Sequence, residues 1–197
     1  MEPLKMVLLG DSAVGKTSII QRFVFNRFHD VVEPSLGSMF TIKCVKLLEE
    51  NAEVQFRIWD TAGQEKYHSL NTKYYQDAAI AIIVYDSTLI STFEKVELWL
   101  KEVRNSAPDD VKVVVLGNKI DLVDKEEVDP QMVQDFAQKN NIKCSFVSAK
   151  TGVGIEELFI QLAKESLINK PKIHQARRES VMLANRTERL TNKPGCC

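Results

Sequence analysis

The stretch LKMVLLGDSAVGKT, residues 4–17, joins a strand pattern to a glycine-rich loop. Its Met6–Leu9 segment is apolar throughout, as expected of a strand that is buried in a parallel sheet. Gly10–Thr17 then fits the spacing G-x-x-x-x-G-K-[ST], and a segment of helical character continues as far as Phe25. A strand, this loop and a helix, in that order, are the arrangement in which the motif cradles phosphate groups.

The residue types in this loop suit a nucleoside phosphate with Mg²⁺. Gly10 permits a sharp turn out of the strand, and Gly15 removes a side chain where the backbone has to approach phosphate. Backbone N–H groups and the helix N-terminus favour an anion in the concavity. Lys16 can reach the β- and γ-phosphates, and the Thr17 hydroxyl can ligate Mg²⁺. The loop residues predicted to contact the nucleotide are Ser12, Ala13, Val14, Gly15, Lys16, Thr17 and Ser18.

Charge is distributed unevenly along the 197 residues, whose net charge is −1. From Lys170 onward there are seven Lys or Arg and two Glu, a net +5, which leaves −6 for residues 1–169. The acidic part argues against a nucleic-acid-binding protein. The basic part is typical of a segment attracted to anionic surfaces. We therefore predict a nucleotide-binding domain over residues 1–169 and a disordered basic tail over residues 170–197.

Targeting signals and cysteines favour a cytosolic protein. The sequence contains no apolar run of about 18 residues, so no transmembrane helix is expected. A cleavable signal peptide would remove the phosphate loop, and none is predicted. Cys44 and Cys144 are predicted to be reduced core residues.

Strand and helix signals alternate over residues 4–168, which predicts an α/β fold. We expect a six-stranded, mostly parallel sheet with one antiparallel edge strand and helices on both faces. Residues 41–48 and 54–59 form the predicted antiparallel pair because a short polar turn joins them. Ser91 and Asp129 are the predicted N-caps of two later helices. Ligands of such sheets bind at the carboxyl ends of the strands.

A second loop follows the strand that ends at Trp59. Asp60 lies where a carboxylate can hold Mg²⁺ through water, and Gly63 offers an unobstructed N–H group to a γ-phosphate. The Gln64 amide can both accept a hydrogen bond from an attacking water molecule and donate one to it. Ser35 supplies a second hydroxyl for the metal. The predicted catalytic residues are Lys16 and Gln64, and the predicted Mg²⁺ ligands are Thr17, Ser35 and Asp60.

Two later loops favour guanine as the base. Asp121, in Asn118-Lys119-Ile120-Asp121, can accept two hydrogen bonds from an edge of guanine where adenine has no donors. Asn118 can bridge to the phosphate loop, and the stem of Lys119 can lie on the ring. In Ser148-Ala149-Lys150, the Ala149 N–H can donate to guanine O6, and Phe28 can stack on the opposite face of the base.

These motifs, in this order and spacing, resemble those of the Ras-like small GTPases and, within them, the Rab family. The Rab-like segments are LGSMF at 36–40, FRIWDTAGQE at 56–65, KYHSL at 66–70, YYQDA at 74–78 and the Cys-Cys end. The resemblance covers about residues 4–168 and the terminus, and is strongest to the endosomal Rabs. It implies a GTP/GDP switch in vesicle traffic, with Mg²⁺ as cofactor and slow hydrolysis of GTP to GDP unless a GTPase-activating protein (GAP) assists.

The same resemblance implies partners and a location. An exchange factor (GEF), a GDI or escort protein and effectors are expected, and the domain is expected to be monomeric. Phe40, Trp59 and Tyr74 would form the aromatic patch that effectors contact. Cys196 and Cys197 would carry geranylgeranyl groups, and two lipids give stable anchoring where one is marginal. The protein would then lie on the cytosolic face of endomembranes, endosomes in particular.

The sequence departs from the family pattern at a few positions, and two other functions stay open. Ser35 stands where Thr is usual, Gln76-Asp77 where Arg-Gly is usual, and Ser12 where Ras proper has glycine. A nucleoside or nucleotide kinase also uses the phosphate loop but would need an arginine-rich lid. A nucleotide-binding scaffold with negligible turnover remains open because Ser35 lacks the methyl group of threonine.

Overall fold

The fold is built on a six-stranded sheet. The computed structural model describes residues 3–30, 39–60 and 75–168. The strands are β1 (Leu4–Leu9), β2 (Met39–Leu47), β3 (Ala52–Asp60), β4 (Ile80–Asp86), β5 (Lys112–Asn118) and β6 (Lys143–Phe146). Their order across the sheet is β2-β3-β1-β4-β5-β6. Among the described strands, the β2–β3 pair at one edge is antiparallel, as predicted, and the other pairs are parallel.

Five α-helices of the described residues lie between or after the strands in the chain. They are α1 (Lys16–Phe25), α2 (Ile90–Glu94), α3 (Val96–Ser106), α4 (Pro130–Asn140) and α5 (Ile155–Ile168), with a 3₁₀ turn at Val123–Lys125. In the described part of the chain, no helix has both the length and the apolar character needed to cross a bilayer. The predicted boundary at residue 169 and the predicted tail lie outside the described residues.

The sheet is covered on both faces, as predicted, because successive side chains of a strand point to opposite sides. On one face, Met6 of β1 belongs to a buried cluster with Ile19 of α1 and Phe159 of α5. On the other face, Val7 belongs to a second cluster that includes Trp99 of α3. Full burial of such side chains contributes about 1.5–3 kcal/mol each. This packing fixes the strand ends from which the predicted site residues extend.

The helix that was predicted to begin at Ser91 starts one residue earlier, and the Ser91 N-cap is wrong. Leu89 occupies the cap position of α2 without a side-chain cap, and Ser91 lies inside the helix. The carboxylate of Glu127 accepts a hydrogen bond from the Ile90 N–H at 2.9 Å. A residue 37 positions away in sequence therefore satisfies the first N–H group of α2 in place of an N-cap side chain. By contrast, Asp129 caps α4 as predicted, because its side chain accepts from the Gln131 N–H.

The prediction that Cys44 is a core residue is also wrong. Cys44 is exposed, whereas Cys144 is intermediate in exposure. Val45 and Leu47 are the buried residues at this end of β2. Because side chains alternate along a strand, Cys44 faces away from the core.

Candidate functional site

The phosphate loop lies between β1 and α1 and is held against the centre of the sheet. Gly10 has a φ of 129°, and a Cβ atom there would lie 2.1 Å from the carbonyl oxygen of Val84 in β4. The Lys16 ammonium is buried beneath the loop and donates to the carbonyl oxygens of Gly10 and Asp11 at 2.7 and 2.6 Å. The loop backbone therefore curls around the lysine, and only glycine fits at its first position.

Asn118 connects the phosphate loop to the loop that follows β6. Its Nδ2 donates to the Val14 carbonyl oxygen at 2.9 Å, and its Oδ1 accepts from the Ala149 N–H at 3.0 Å. Gly15 has a φ of 97°, and a Cβ atom there would lie 2.3 Å from Asn118 Nδ2. The predicted bridge from Asn118 to the phosphate loop is thus present, and it requires glycine at position 15.

Asp121 and Ser148 are also brought together, although they lie on different loops. The Ser148 hydroxyl donates to Asp121 Oδ1 at 2.6 Å and accepts from the Thr151 N–H at 3.0 Å. One carboxylate oxygen of Asp121 is therefore fixed by a buried serine. A fixed carboxylate suits a base edge that presents two N–H donors, as guanine does.

Lys119 is positioned by an acid that sequence reasoning had not selected. Its φ is 69°, and its ammonium lies 2.5 Å from Oδ2 of the buried Asp86, the last residue of β4. Asp86 Oδ1 also accepts from the Thr88 N–H and hydroxyl at 2.9 and 2.7 Å. These contacts hold the Lys119 ammonium beside the carboxyl end of β4.

The predicted metal ligands that the structure describes lie side by side. The Thr17 hydroxyl donates to Asp60 Oδ2 at 2.7 Å, across the gap between α1 and the end of β3. A hydroxyl and a carboxylate are the hard oxygen ligands that Mg²⁺ prefers. The residues present therefore fit this ion, and Asp60 lies at the same edge of the sheet as the phosphate loop.

A comparison with protein-family models assigns the chain to a family. The model of the Ras family matches residues 5–168. This chain belongs to the Ras family. It is therefore a small GTPase, and such proteins bind GTP or GDP with Mg²⁺ and act as switches. The six-stranded sheet with its single antiparallel pair is consistent with that family's fold.

The remaining nucleotide-site predictions for this GTPase fall into two groups. Ser12 and Ala13 lie in the phosphate loop, Ser18 lies in the first turn of α1, and Lys150 follows β6. Phe28 follows α1 and is half-buried, packed against the cluster that contains Met6. The residues Ser35, Gly63, Gln64, Tyr74, Cys196 and Cys197 lie outside the described part of the chain, so their predicted roles stay predictions.

Two of the three predicted effector-patch residues of the GTPase are neighbours. Phe40 and Trp59 pair across β2 and β3, with ring centroids 5.4 Å apart, and Phe40 is 55% exposed. The Lys5 ammonium lies 5.3 Å from the Trp59 ring centroid. Burial lowers the pKa of Lys5, an effect that Asp77 partly offsets. An exposed phenylalanine that packs on a half-buried tryptophan, beside a cation, is suited to a protein partner.

Sequence reasoning missed three residues that organise the site. Asp86 ends a buried strand, so the rule that selected Asp60 could have found it as well. Asp11 is buried, pairs with Lys95 at 2.5 Å and accepts from the Trp99 indole at 3.4 Å. Arg22 donates a hydrogen bond to the Ala149 carbonyl oxygen, 127 positions later in the chain, and no local sequence pattern predicts that contact.

Proposed function

We propose that this GTPase is a Rab-type switch that binds guanine nucleotide with Mg²⁺, hydrolyses GTP slowly and regulates vesicle traffic. The observation that best supports the guanine site is the hydrogen-bonded frame of three loops. Asn118 joins the Val14 carbonyl to the Ala149 N–H, and Ser148 holds Asp121. This frame holds the Asp121 carboxylate and the Ala149 backbone next to the phosphate loop.

In the proposed reaction, each residue has a separate task. Lys16 binds the β- and γ-phosphates, and the N–H groups of Gly15 and Lys16 orient their oxygens. Thr17, Ser35 and Asp60 would hold Mg²⁺, which when bound neutralises charge on the phosphates. Gln64 would orient water in line with the bond that breaks, while the Gly63 N–H contacts the γ-phosphate. The products are GDP and inorganic phosphate.

Hydrolysis without a partner is expected to be slow. The sequence has no arginine between Asp30 and Arg57, so that segment supplies no arginine to the transition state in cis. A GAP arginine accelerates related GTPases by up to about 10⁵-fold. That factor corresponds to about 7 kcal/mol of activation free energy. Slow intrinsic GTP hydrolysis that a GAP can accelerate strongly is suited to a regulatory switch, because the GAP then determines how long the GTP form persists.

The same contacts would operate the switch. While GTP is bound, the γ-phosphate and Mg²⁺ would order the segments that carry Ser35 and Gly63. Hydrolysis removes those contacts, so both segments would relax. Effectors that contact Phe40, Trp59 and Tyr74 would then bind only the GTP form. A GEF would restore that form by releasing GDP.

We propose further that the GTPase lies on the cytosolic face of endomembranes, endosomes in particular. Geranylgeranyl groups on Cys196 and Cys197 would anchor it, and the +5 charge from Lys170 onward would attract anionic lipid. A GDI or escort protein would carry the lipidated form through the cytosol. Extended, the 28 residues after position 169 would span about 90–100 Å, which lets the domain reach effectors away from the bilayer.

Single-turnover hydrolysis tests the enzymatic part of the proposal. The wild type, loaded with GTP, is expected to release phosphate at a rate on the order of 10⁻⁴ s⁻¹. Gln64→Leu should be at least tenfold slower, whereas the control Gln76→Leu should match the wild type. A Gln64→Leu rate within about threefold of wild type would show that Gln64 does not position water. No release from any variant over a day would favour the scaffold with negligible turnover.

Fractionation of cells that express the tagged protein tests the membrane part. The double variant Cys196→Ser/Cys197→Ser should move from membranes to the cytosol. The control is Cys44→Ser, because Cys44 is an exposed thiol within the domain. Membrane association that survives loss of both terminal cysteines would contradict lipid anchoring.

A further inference from the structure

The guanidinium of Arg22, on α1, is tied to neutral oxygens by four hydrogen bonds. Its Nε donates to the Ala149 carbonyl oxygen at 2.9 Å, and its Nη2 donates to the Lys150 carbonyl oxygen at 2.6 Å. Its Nη1 donates to the backbone oxygen and Oδ1 of Asn26 at 3.3 and 3.0 Å. One side chain therefore spans from α1 to the loop that follows β6.

The two carbonyl groups belong to the loop that was predicted to contact the base. Ala149 donates its N–H on one side, to Asn118 in this structure, while its carbonyl is held from the other side by Arg22. A peptide unit is planar, so fixing a carbonyl fixes the plane that contains it. Arg22 thus limits the rotation of the two peptide units that follow the Ala149 N–H.

We infer that Arg22 is a positioning residue for base recognition: it holds the 148–150 loop so that the Ala149 N–H can donate to the O6 of guanine. This inference rests on the proposed guanine site. Arg22 contacts the loop backbone, so its effect would pass through Ala149.

The shape of the arginine side chain explains why lysine would not replace it. A guanidinium presents several N–H donors in a rigid planar fork, whereas an ammonium presents one point of attachment. Nε and Nη2 use that fork to hold two successive carbonyl oxygens. The stem passes beside Gly152, where a Cβ atom would lie 3.6 Å from Arg22 Cδ, at ordinary van der Waals distance.

Asn26 anchors the guanidinium at its other end. It is the C-cap of α1, with a φ of 51°, and its N–H donates to the Arg22 carbonyl. Removing its Oδ1 with Asn26→Gly preserves a residue that accepts the left-handed conformation. This substitution would loosen the guanidinium and leave both loop contacts available, so it should produce a weaker version of the arginine effect.

Competition binding with two nucleotides tests the inference. Arg22→Met and Arg22→Lys should each weaken GDP binding about three- to tenfold, the effect of one lost hydrogen bond. The same variants should change the affinity for 2-aminopurine riboside diphosphate, which lacks O6, by less than about twofold. Asn26→Gly should show a smaller loss with the same dependence on O6. The matched control is Arg104→Met, because Arg104 donates to the Asn140 carbonyl oxygen at 2.9 Å away from this loop.

Two results would overturn the inference. If Arg22→Met and Arg22→Lys bind GDP within about twofold of wild type, Arg22 does not position the loop. If both nucleotides weaken equally in the arginine variants, Arg22 supports the fold in general. Should Arg22→Met fold poorly, Arg22→Lys decides between these outcomes. A wild type that binds no GDP would instead reject the guanine site itself, which is a separate failure.

Discussion

The two ends of the sheet differ in how many polar side chains they bury. At the carboxyl end, Asp11, Lys16, Asp60, Asp86, Ser87, Thr92, Asn118 and Ser148 are buried, eight of the nine such side chains in the described residues. At the amino end of β5 and β6, the lining of a groove of about 610 Å³ combines apolar residues with the charged Arg104, Lys112, Lys143 and Glu165. Lys143, which pairs with Glu165, has a side chain that is 55% exposed.

This difference between the two ends of the sheet predicts which substitutions affect nucleotide binding and which affect stability. Burying a polar group costs free energy unless a hydrogen bond compensates, so a concentration of buried polar groups has to be held by specific partners. At the carboxyl end those partners join several loops, as the Asn118 bridge shows. At the amino end, the charged side chain of Lys143 remains in contact with water, whereas the Lys112 Nζ is buried without a compensating hydrogen bond among the described residues. We therefore expect substitutions at the carboxyl end to change nucleotide binding and those at the amino end to change stability alone.

The largest effect is expected at Asp121. Asp121→Asn removes a carboxylate that would accept two charge-assisted hydrogen bonds, each worth about 1.5–3 kcal/mol. GDP affinity should therefore fall by about 100-fold or more in isothermal titration. Binding of xanthosine diphosphate should improve, because the amide can donate to its O2. The control Asp124→Asn changes an exposed acid nearby. Equal losses in the two variants would contradict the role of Asp121.

A smaller effect is expected at Asp11, a phosphate-loop residue whose carboxylate contacts Lys95 and Trp99. Asp11→Asn weakens the pair with Lys95, and the Asp11 carbonyl also accepts from Lys16. The unfolding free energy should fall by about 1–2 kcal/mol in urea titrations, and GDP should dissociate several-fold faster. Lys101→Met removes the exposed pair with Glu97 and should cost less than about 0.5 kcal/mol. Equal losses of unfolding free energy in Asp11→Asn and Lys101→Met would contradict the expectation that the buried pair contributes more than the exposed one.

Two buried serines, one at the candidate site and one within α5, test whether position or burial determines the effect on GDP affinity. Ser148→Ala removes the hydroxyl that holds Asp121, so GDP affinity should fall about three- to tenfold. Ser166 is the ninth buried polar side chain, and its hydroxyl donates to the Leu162 carbonyl within α5. Ser166→Ala should leave GDP affinity unchanged in the same fluorescence assay. A similar loss from both serines would show that burial matters more than position in the fold.

The smallest effect is expected at Lys112, in the groove at the amino end. Its Nζ is buried and has no hydrogen-bond partner among the described residues. Burial lowers the pKa of Lys112 below 10.5, Glu165 partly offsets this, and Lys143 adds to it. Lys112→Met should raise the unfolding free energy by about 1 kcal/mol at neutral pH, with unchanged GDP affinity.

The pH dependence of this gain follows from the direction of the shift. The charged lysine is penalised in the folded state at every pH below its folded pKa. As pH rises from that pKa toward 10.5, the wild type regains stability, so the advantage of Lys112→Met should shrink. Thermal unfolding across this range measures it, with the exposed Lys46→Met as control. An advantage that is constant with pH would contradict the burial argument.

The sequence was sufficient for the sheet and for placing most of the described candidate-site residues at one edge of it, because local patterns determine both. Asp60 and Asn118 are the last residues of β3 and β5, whereas Lys16 and Asp121 lie beyond the ends of β1 and β5. The carboxyl ends of parallel strands converge, so these residues meet at one edge of the sheet. Pattern reasoning failed where a distant residue intervenes. The α2 cap comes from Glu127, and the contacts of Arg22 with Ala149 cross 127 positions of sequence. Cys44 was misplaced because an edge strand buries only alternate residues.

The nucleotide that the purified full-length protein carries tests the guanine switch most directly. Denaturing the protein and separating the released nucleotide by ion-exchange chromatography identifies both the base and the number of phosphates. The account predicts close to one equivalent of GDP, because a tight site would have hydrolysed its GTP during purification. Mostly GTP would support guanine as the base but would favour a scaffold with negligible turnover. An adenine nucleotide, or none, would contradict base selection by Asp121.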